Sequence, residues 1–153
     1  RLSTYLSPLG CSLDADAFRL ALPSQELEEA RSSQPPGDGP MLILAPSSED
    51  QDWPPERWLA LPKSISTRLA TLRSSTLDPG LPMRRRAAAV ACADVILSSC
   101  AMTQRLAVYC GIPLVALGAT PTDFPPRGDI RCLGVRSDLA SLTEQEVLDA
   151  LGF

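Results

Sequence analysis

The sequence contains no histidine, and its five cysteines include no Cys-x-x-Cys pair. The missing imidazole excludes histidine-dependent acid–base catalysis within this chain. A zinc site would need cysteines and carboxylates at spacings that the sequence lacks, so we predict no metal and no cofactor. We expect buried thiols without disulfides, in a soluble protein of a reducing compartment such as the cytoplasm or an organelle interior. The cysteines are Cys11, Cys92, Cys100, Cys110 and Cys132.

Positive charge and long apolar runs are also scarce. The net charge is −4, whereas nucleic-acid-binding proteins usually carry a basic surplus, so we predict no nucleic-acid partner. No apolar run approaches the roughly 18–20 residues that span a bilayer, which predicts no transmembrane segment. The 153 residues, 44% of them hydrophobic, suffice for one domain with its own core.

Apolar runs alternate with helical segments along the chain. Strands are predicted at residues 41–45, 94–98, 113–117 and 130–135. Helices are predicted to begin near Ser24, Pro55, Pro82, Thr103 and Thr143. This alternation indicates an α/β fold with a three-layer parallel sheet. Because ligands of such sheets bind beyond the carboxyl ends of the strands, the loops at 46–53, 98–103 and 118–126 are the expected site.

Five weak motifs occupy these regions in a fixed order. They are Leu42-Ile43-Leu44-Ala45-Pro46, Trp53-Pro54-Pro55-Glu56-Arg57-Trp58, Ala93-Asp94, Leu106-Ala107 with Gly111-Ile112-Pro113, and Pro121-Thr122-Asp123. In this order they resemble the donor-binding domain of family 9 glycosyltransferases, the ADP-heptose heptosyltransferase group. The resemblance implies a GT-B-type Rossmann-like domain over residues 41–153, preceded by an interdomain segment over residues 1–40.

The chain departs from the family pattern where the donor diphosphate would bind. Aligned on Leu106-Ala107, the family's aspartate position holds Cys100 and its histidine position holds Arg105. The family's Lys-Arg pair before Trp-Pro has become Gln51-Asp52, with two further acidic residues beside it. A loop that is cationic in the family is therefore anionic here, and we expect a nucleotide-sugar to bind badly.

A residual anion site at the helix start after the second predicted strand stays open as an alternative. Its candidate residues are Ser98, Ser99, Thr103, Arg105, Thr122 and Asp123. A hydrogen-bonded strand-to-helix turn is the competing interpretation of the serines. A surface or partner contact is the competing interpretation of Arg105. No residue is predicted to be catalytic.

Two groups of residues are candidates for a protein interface: Trp53 and Trp58, and the run Arg84, Arg85 and Arg86. An exposed tryptophan would mark an interface, and arginines near a helix N-terminus oppose the dipole and suit an acidic partner. The alternatives are tryptophans packed against the sheet and a solvated helix start.

The interval between Ile65 and Leu81 has room for one short element, where the family has an additional strand and helix. Either this segment is deleted or the sequence omits a loop. A truncated sheet of about four strands would leave Leu42, Leu44, Val95 and Leu97 partly uncovered, and an uncovered face invites association.

The leading functional hypothesis is a non-catalytic glycosyltransferase-like domain that acts as an accessory or structural subunit of a larger assembly, with a protein partner. The alternative is an active, heptosyltransferase-like glycosyltransferase that binds a nucleotide-diphosphate sugar, with its acceptor domain outside this chain.

Overall fold

The computed structural model describes residues 24–37, 39–47 and 52–152. Five strands form one parallel sheet in the order β2-β1-β3-β4-β5. The strands are β1 (Met41–Ala45), β2 (Arg73–Thr76), β3 (Val95–Ser98), β4 (Leu114–Leu117) and β5 (Ile130–Leu133). The helices are α1 (Ser24–Ser32), α2 (Pro55–Ser66), α3 (Met83–Ala91), α4 (Ala101–Cys110) and α5 (Glu144–Leu151), with 3-10 turns at Pro121–Asp123 and Arg136–Ser141.

Helices cover both faces of the sheet, which confirms the α/β three-layer prediction. On one face, Met41 and Ile43 of β1 join a core with Val90 of α3 and Leu106 of α4. On the other face, Leu44 and its neighbours pack against α2 and α5. All five residues of β1 are buried, as expected for a central strand of a parallel sheet.

The expectation of an uncovered sheet face is wrong. Leu42, Leu44 and Leu97 are fully buried, and Val95 is packed at the margin of the same core. Their cover comes from α2, which lies in the crossover from β1 to β2, and from α5, which follows β5. Although the interval between Ile65 and Leu81 is short, that face of the sheet is covered by helices.

The sheet has one strand more than the sequence pattern showed. β2 reads Arg-Ser-Ser-Thr and lies at the sheet edge, paired only with β1. An edge strand that is only partly buried gives no apolar run, so hydrophobicity could not reveal it. It is the single short element for which the interval from Ile65 to Leu81 has room.

Most helices begin within one residue of the predicted position, and α4 begins at Ala101, two residues before the predicted Thr103. Gly111 closes α4 in the left-handed conformation at φ 67°. The Thr143 side chain accepts a hydrogen bond from the Glu146 backbone N–H at the start of α5. A proline inside a helix usually kinks or ends it, and Pro62 does not end α2, which continues to Ser66. The buried Leu61 and Ile65 on either side of Pro62 anchor both turns to the core, which offsets the lost backbone hydrogen bond.

Among the described residues, no helix is long and apolar enough to cross a membrane.

Candidate functional site

The strand order places a crevice between the carboxyl ends of β1 and β3, where neighbouring crossovers lie on opposite faces of the sheet. Doubly wound folds of the order 2-1-3-4-5 bind their ligands at this point. The structure has a cavity of about 490 Å³ here. Its walls come from Pro46 and Ser47 after β1, from Cys100 and the first turns of α4, and from Met83 at the start of α3.

The Ser98 side chain closes the strand-to-helix turn and does not line this cavity. Its hydroxyl donates to the Ala45 carbonyl of the neighbouring strand at 2.9 Å. The same oxygen accepts a hydrogen bond from the Cys100 backbone N–H at 2.9 Å. These contacts match the strand-to-helix turn that was one of the two interpretations of the serines.

The Ser99 side chain joins the two loops that border the crevice. Its hydroxyl donates to the Asp52 carboxylate at 2.5 Å and accepts from the Ser47 backbone N–H at 2.9 Å. Asp52 accepts a second hydrogen bond from the Trp53 backbone N–H at 2.7 Å. Ser99 is fully buried, so its hydroxyl is not available as a nucleophile for a bound substrate.

Thr103 lies in the first turn of α4, where its side chain contacts the buried Arg86. One guanidinium nitrogen of Arg86 donates to the Thr103 hydroxyl at 3.0 Å. The other donates to the carbonyl oxygens of Asp78 and Pro79 at 2.7 and 3.0 Å. Arg86 is only 2% exposed, so its assignment as an interface residue is wrong. It ties the loop after β2 to the start of α4, beside the crevice.

Gln104 is a buried polar residue that the sequence analysis missed. Its amide nitrogen donates to the Ser98 carbonyl at 2.8 Å and to the Leu117 carbonyl at 3.3 Å. It thereby holds the ends of β3 and β4 against α4. A glutamine in an amphipathic helix looks like a solvated residue in the sequence, so only the packing of α4 reveals this role.

The other anion-binding candidates separate in space. Arg105 is exposed and lines the cavity. Thr122 and Asp123 belong to the exposed turn Pro121–Asp123 and are not among the cavity's lining residues. The Asp123 carboxylate accepts from the Thr120 backbone N–H and hydroxyl, both at 3.0 Å, which caps that turn.

Both tryptophans of the Trp-Pro-Pro motif are buried, which corrects their assignment as interface candidates. Trp53 and Trp58 meet edge to face, with ring centroids 5.2 Å apart. The Trp53 indole N–H donates to the Leu142 carbonyl at 2.9 Å, and the Arg57 guanidinium donates to the same oxygen. The motif therefore fixes the start of α2 to the segment that precedes α5. Its sequence alone could not distinguish this from an exposed patch.

Arg84 and Arg85 remain exposed at the start of α3. The Arg84 guanidinium forms an ion pair of 2.5 Å with Glu26 of α1.

Of the five cysteines, Cys11 lies outside the described residues, and none of the other four forms a disulfide there. Burial raises the pKa of the Cys132 thiol, and the Asp123 carboxylate raises it further.

Neither a protein-family model nor a curated protein matches the chain. Solved structures do. The ADP-heptose lipopolysaccharide heptosyltransferase II of E. coli superposes with a TM-score of 0.61 at 19% identity, over 85% of this chain and 51% of that chain. The fold of this chain is like that of about half of this glycosyltransferase. A family 9 glycosyltransferase from Veillonella parvula gives a TM-score of 0.58 at 13% identity, over 83% of this chain and 49% of that one.

The chain spans about half the length of both solved structures. Its glycosyltransferase-like, GT-B-type Rossmann-like fold is thus confirmed, and the sequence resemblance to this group is matched by the structures.

Proposed function

We propose that this chain is a non-catalytic glycosyltransferase-like domain that serves as an accessory or structural part of a larger assembly. The observation that carries the proposal is the position of the Asp52 carboxylate. It accepts hydrogen bonds from the Ser99 hydroxyl and the Trp53 backbone N–H at the edge of the sheet where such folds bind their ligands.

A carboxylate beside this crevice opposes a diphosphate in two ways. The Ser99 hydroxyl has a single proton, which Asp52 already accepts, so a phosphate would have to displace the carboxylate to use it. A carboxylate about 5–6 Å from a phosphate charge also repels it by roughly 3 kcal/mol at an effective dielectric of about 20, before screening. A neutral hydrogen bond from the end of α4 contributes only about 1 kcal/mol.

Two features of the chain also argue against catalysis at this crevice. The sequence has no histidine, and Ser99, whose hydroxyl contacts the Asp52 carboxylate, is fully buried. Among the described residues, no cluster of three or more histidines, cysteines and carboxylates is placed to hold a metal ion. These observations support a domain whose remaining role is binding.

The second candidate function is an active, heptosyltransferase-like glycosyltransferase whose acceptor domain lies outside this chain. The start of α4 favours it, because backbone N–H groups at a helix N-terminus attract anions. Arg105 lines the same cavity, and the buried Arg86 guanidinium lies beneath the first turn of α4. These two cations add positive potential, which opposes the effect of Asp52.

Isothermal titration calorimetry of the chain with ADP- and UDP-sugars separates the two functions. We expect no measurable heat of binding at millimolar ligand, because the Asp52 carboxylate opposes the diphosphate. A dissociation constant tighter than about 100 μM, equivalent to more than about 5 kcal/mol of binding free energy, would favour the active enzyme and overturn the proposal.

A further inference from the structure

The walls of the crevice between β1 and β3 are mostly apolar. Pro46, Pro79 and Leu106 line it together with two methionines. Those methionines, Met83 and Met102, are 50% and 45% exposed and lie at its rim. Among the described residues, four large apolar side chains are this exposed, and two of the four border this one cavity. Exposed apolar side chains gathered around a concavity mark a binding site.

Arg105 is the charged residue of the cavity wall. Its side chain has no hydrogen bond or ion pair to any described residue. The exposed arginine Arg84, by contrast, is paired with Glu26. An apolar cavity with a single available cation at its edge is complementary to an apolar group beside one carboxylate, rather than to a diphosphate with several charges.

The methionine walls indicate which kind of apolar group the cavity accepts. Methionine is unbranched and polarizable, so it adapts to side chains of different shape and is common on peptide-binding surfaces. A volume of about 490 Å³ accommodates an aromatic or large aliphatic side chain with adjoining backbone. Both rim methionines lie in the first turn of a helix, Met83 in α3 and Met102 in α4, so rigid elements position them.

We propose that the crevice binds a short peptide segment of a partner protein. An aromatic or large aliphatic side chain of the segment enters between Met83 and Met102, and an adjacent aspartate or glutamate pairs with Arg105. This inference rests on the proposed function, since a nucleotide-sugar would occupy the same space. It assigns the partner contact to the crevice and not to the tryptophans or Arg86, which are buried.

Selection of displayed random peptides against the whole chain tests this directly. We expect the enriched peptides to carry Phe, Trp, Leu or Met within two positions of an Asp or Glu. The affinity of one synthesised peptide is then measured by fluorescence polarisation. Met102→Ala is expected to weaken binding about fivefold or more, as for a central interface residue. The matched control is Leu59→Ala, since Leu59 is 77% exposed on α2, across the sheet; it should leave the affinity unchanged.

A charge exchange tests the role of Arg105. Arg105→Glu should weaken the acidic peptide about tenfold, and replacing the peptide's carboxylate by lysine should restore binding to this variant, as in a double-mutant cycle. Circular dichroism checks that each variant is folded, and replacements of these exposed side chains should leave the fold intact. If no peptide is enriched, or Met102→Ala and Arg105→Glu bind as the wild type does, the inference is wrong.

The outcomes separate this inference from the proposed function. Heat of binding with a nucleotide-sugar in the calorimetric titration would overturn the proposed function and this inference together. The absence of binding by both nucleotide-sugars and peptides would overturn this inference alone.

Discussion

At the scale of single residues, the charge of Asp52, which is hydrogen-bonded to Ser99 beside the crevice, can be tested directly. Replacing Gln51 by Lys and Asp52 by Arg restores the cationic pair expected from the family pattern. We expect this double variant to bind ADP-sugars at least tenfold more tightly than the wild type. The improvement should be larger at low salt, because screening weakens charge interactions. Calorimetry at two ionic strengths measures both effects.

Asp52→Asn serves as the control for that experiment. The amide oxygen can still accept from the Ser99 hydroxyl and the Trp53 N–H, so the hydrogen bonds of the loop are kept while its charge is removed. Its affinity should fall between those of the wild type and the double variant. Equal affinities for all three proteins would show that the charge of this loop does not limit binding.

Arg86 is the second residue of interest at this scale, because its buried hydrogen bonds are expected to stabilise the fold. Arg86→Ala leaves the Thr103 hydroxyl and the carbonyls of Asp78 and Pro79 without their donor in a buried region. We expect the free energy of unfolding to fall by about 2–4 kcal/mol. Urea denaturation measures this change. Arg85→Ala, at the exposed neighbouring position of α3, should change it by less than about 0.5 kcal/mol. Similar values for the two variants would contradict a structural role for Arg86.

The Cys132 thiol gives a prediction that depends on pH. Because burial and the nearby Asp123 carboxylate raise its pKa, the thiolate forms at higher pH in the folded protein than in the unfolded chain. The sign follows from the raised pKa: this group favours the folded state at low pH, and that contribution is lost as pH rises through the folded pKa. Alkylation with iodoacetamide, followed by mass spectrometry across a pH series, should place the midpoint for Cys132 above that of the denatured protein. Coincident midpoints would contradict the effect.

At the scale of secondary-structure elements, α1 is the least buried of the five helices. None of its residues is buried, and a cleft of about 910 Å³ lies between it and the edge of the sheet. Its attachments to the domain include the partly buried Leu27, the Cys92 thiol donating to the Leu27 carbonyl at 3.6 Å, and the ion pair of Glu26 with Arg84. This ion pair contributes little to stability, because its Arg84 end is exposed and solvent screens the charge.

We therefore expect the backbone amides of α1 to exchange with deuterium much faster than those of α4, which has six buried residues. Hydrogen-exchange mass spectrometry at neutral pH resolves the two segments. Arg84→Ala should speed exchange in α1 and leave α4 unchanged. Protection of α1 equal to that of α4 would show that α1 is an integral part of the core.

The elements differ in how well their sequences predicted them. β1 and β4 are buried on both faces and therefore appear as continuous apolar runs. The polar edge strand β2 escaped prediction for the opposite reason. Pro62 does not end α2, because tertiary packing of the flanking turns outweighs the local cost of the proline.

At the scale of the whole molecule, helices of this chain cover both faces of the sheet, and this coverage predicts how the isolated chain unfolds. If one face of the sheet had lacked its covering helices, the stability of the chain would have depended on a partner protein. Because both cores are closed by helices of this chain, we expect a single cooperative thermal transition without a partner. Circular dichroism melting with analytical ultracentrifugation tests this. Aggregation, or a broad transition that sharpens only with a partner, would contradict it.

The alternation of apolar runs and helices in the sequence determined the α/β class, because burial on both faces of a parallel sheet requires those runs. It also located two of the three predicted loops, after β1 and β3, beside the crevice, whereas no residue of the loop at 118–126 lines it. The absence of histidine and the acidic loop likewise restricted the chemistry through residue type alone. Only the tertiary structure decided which polar and aromatic residues are buried. Trp53, Trp58 and Arg86 belong to the core side of the domain, whereas Met83, Met102 and Arg105 face the crevice. Residue type cannot make this distinction, because the exposure of a side chain depends on which distant segments pack against it.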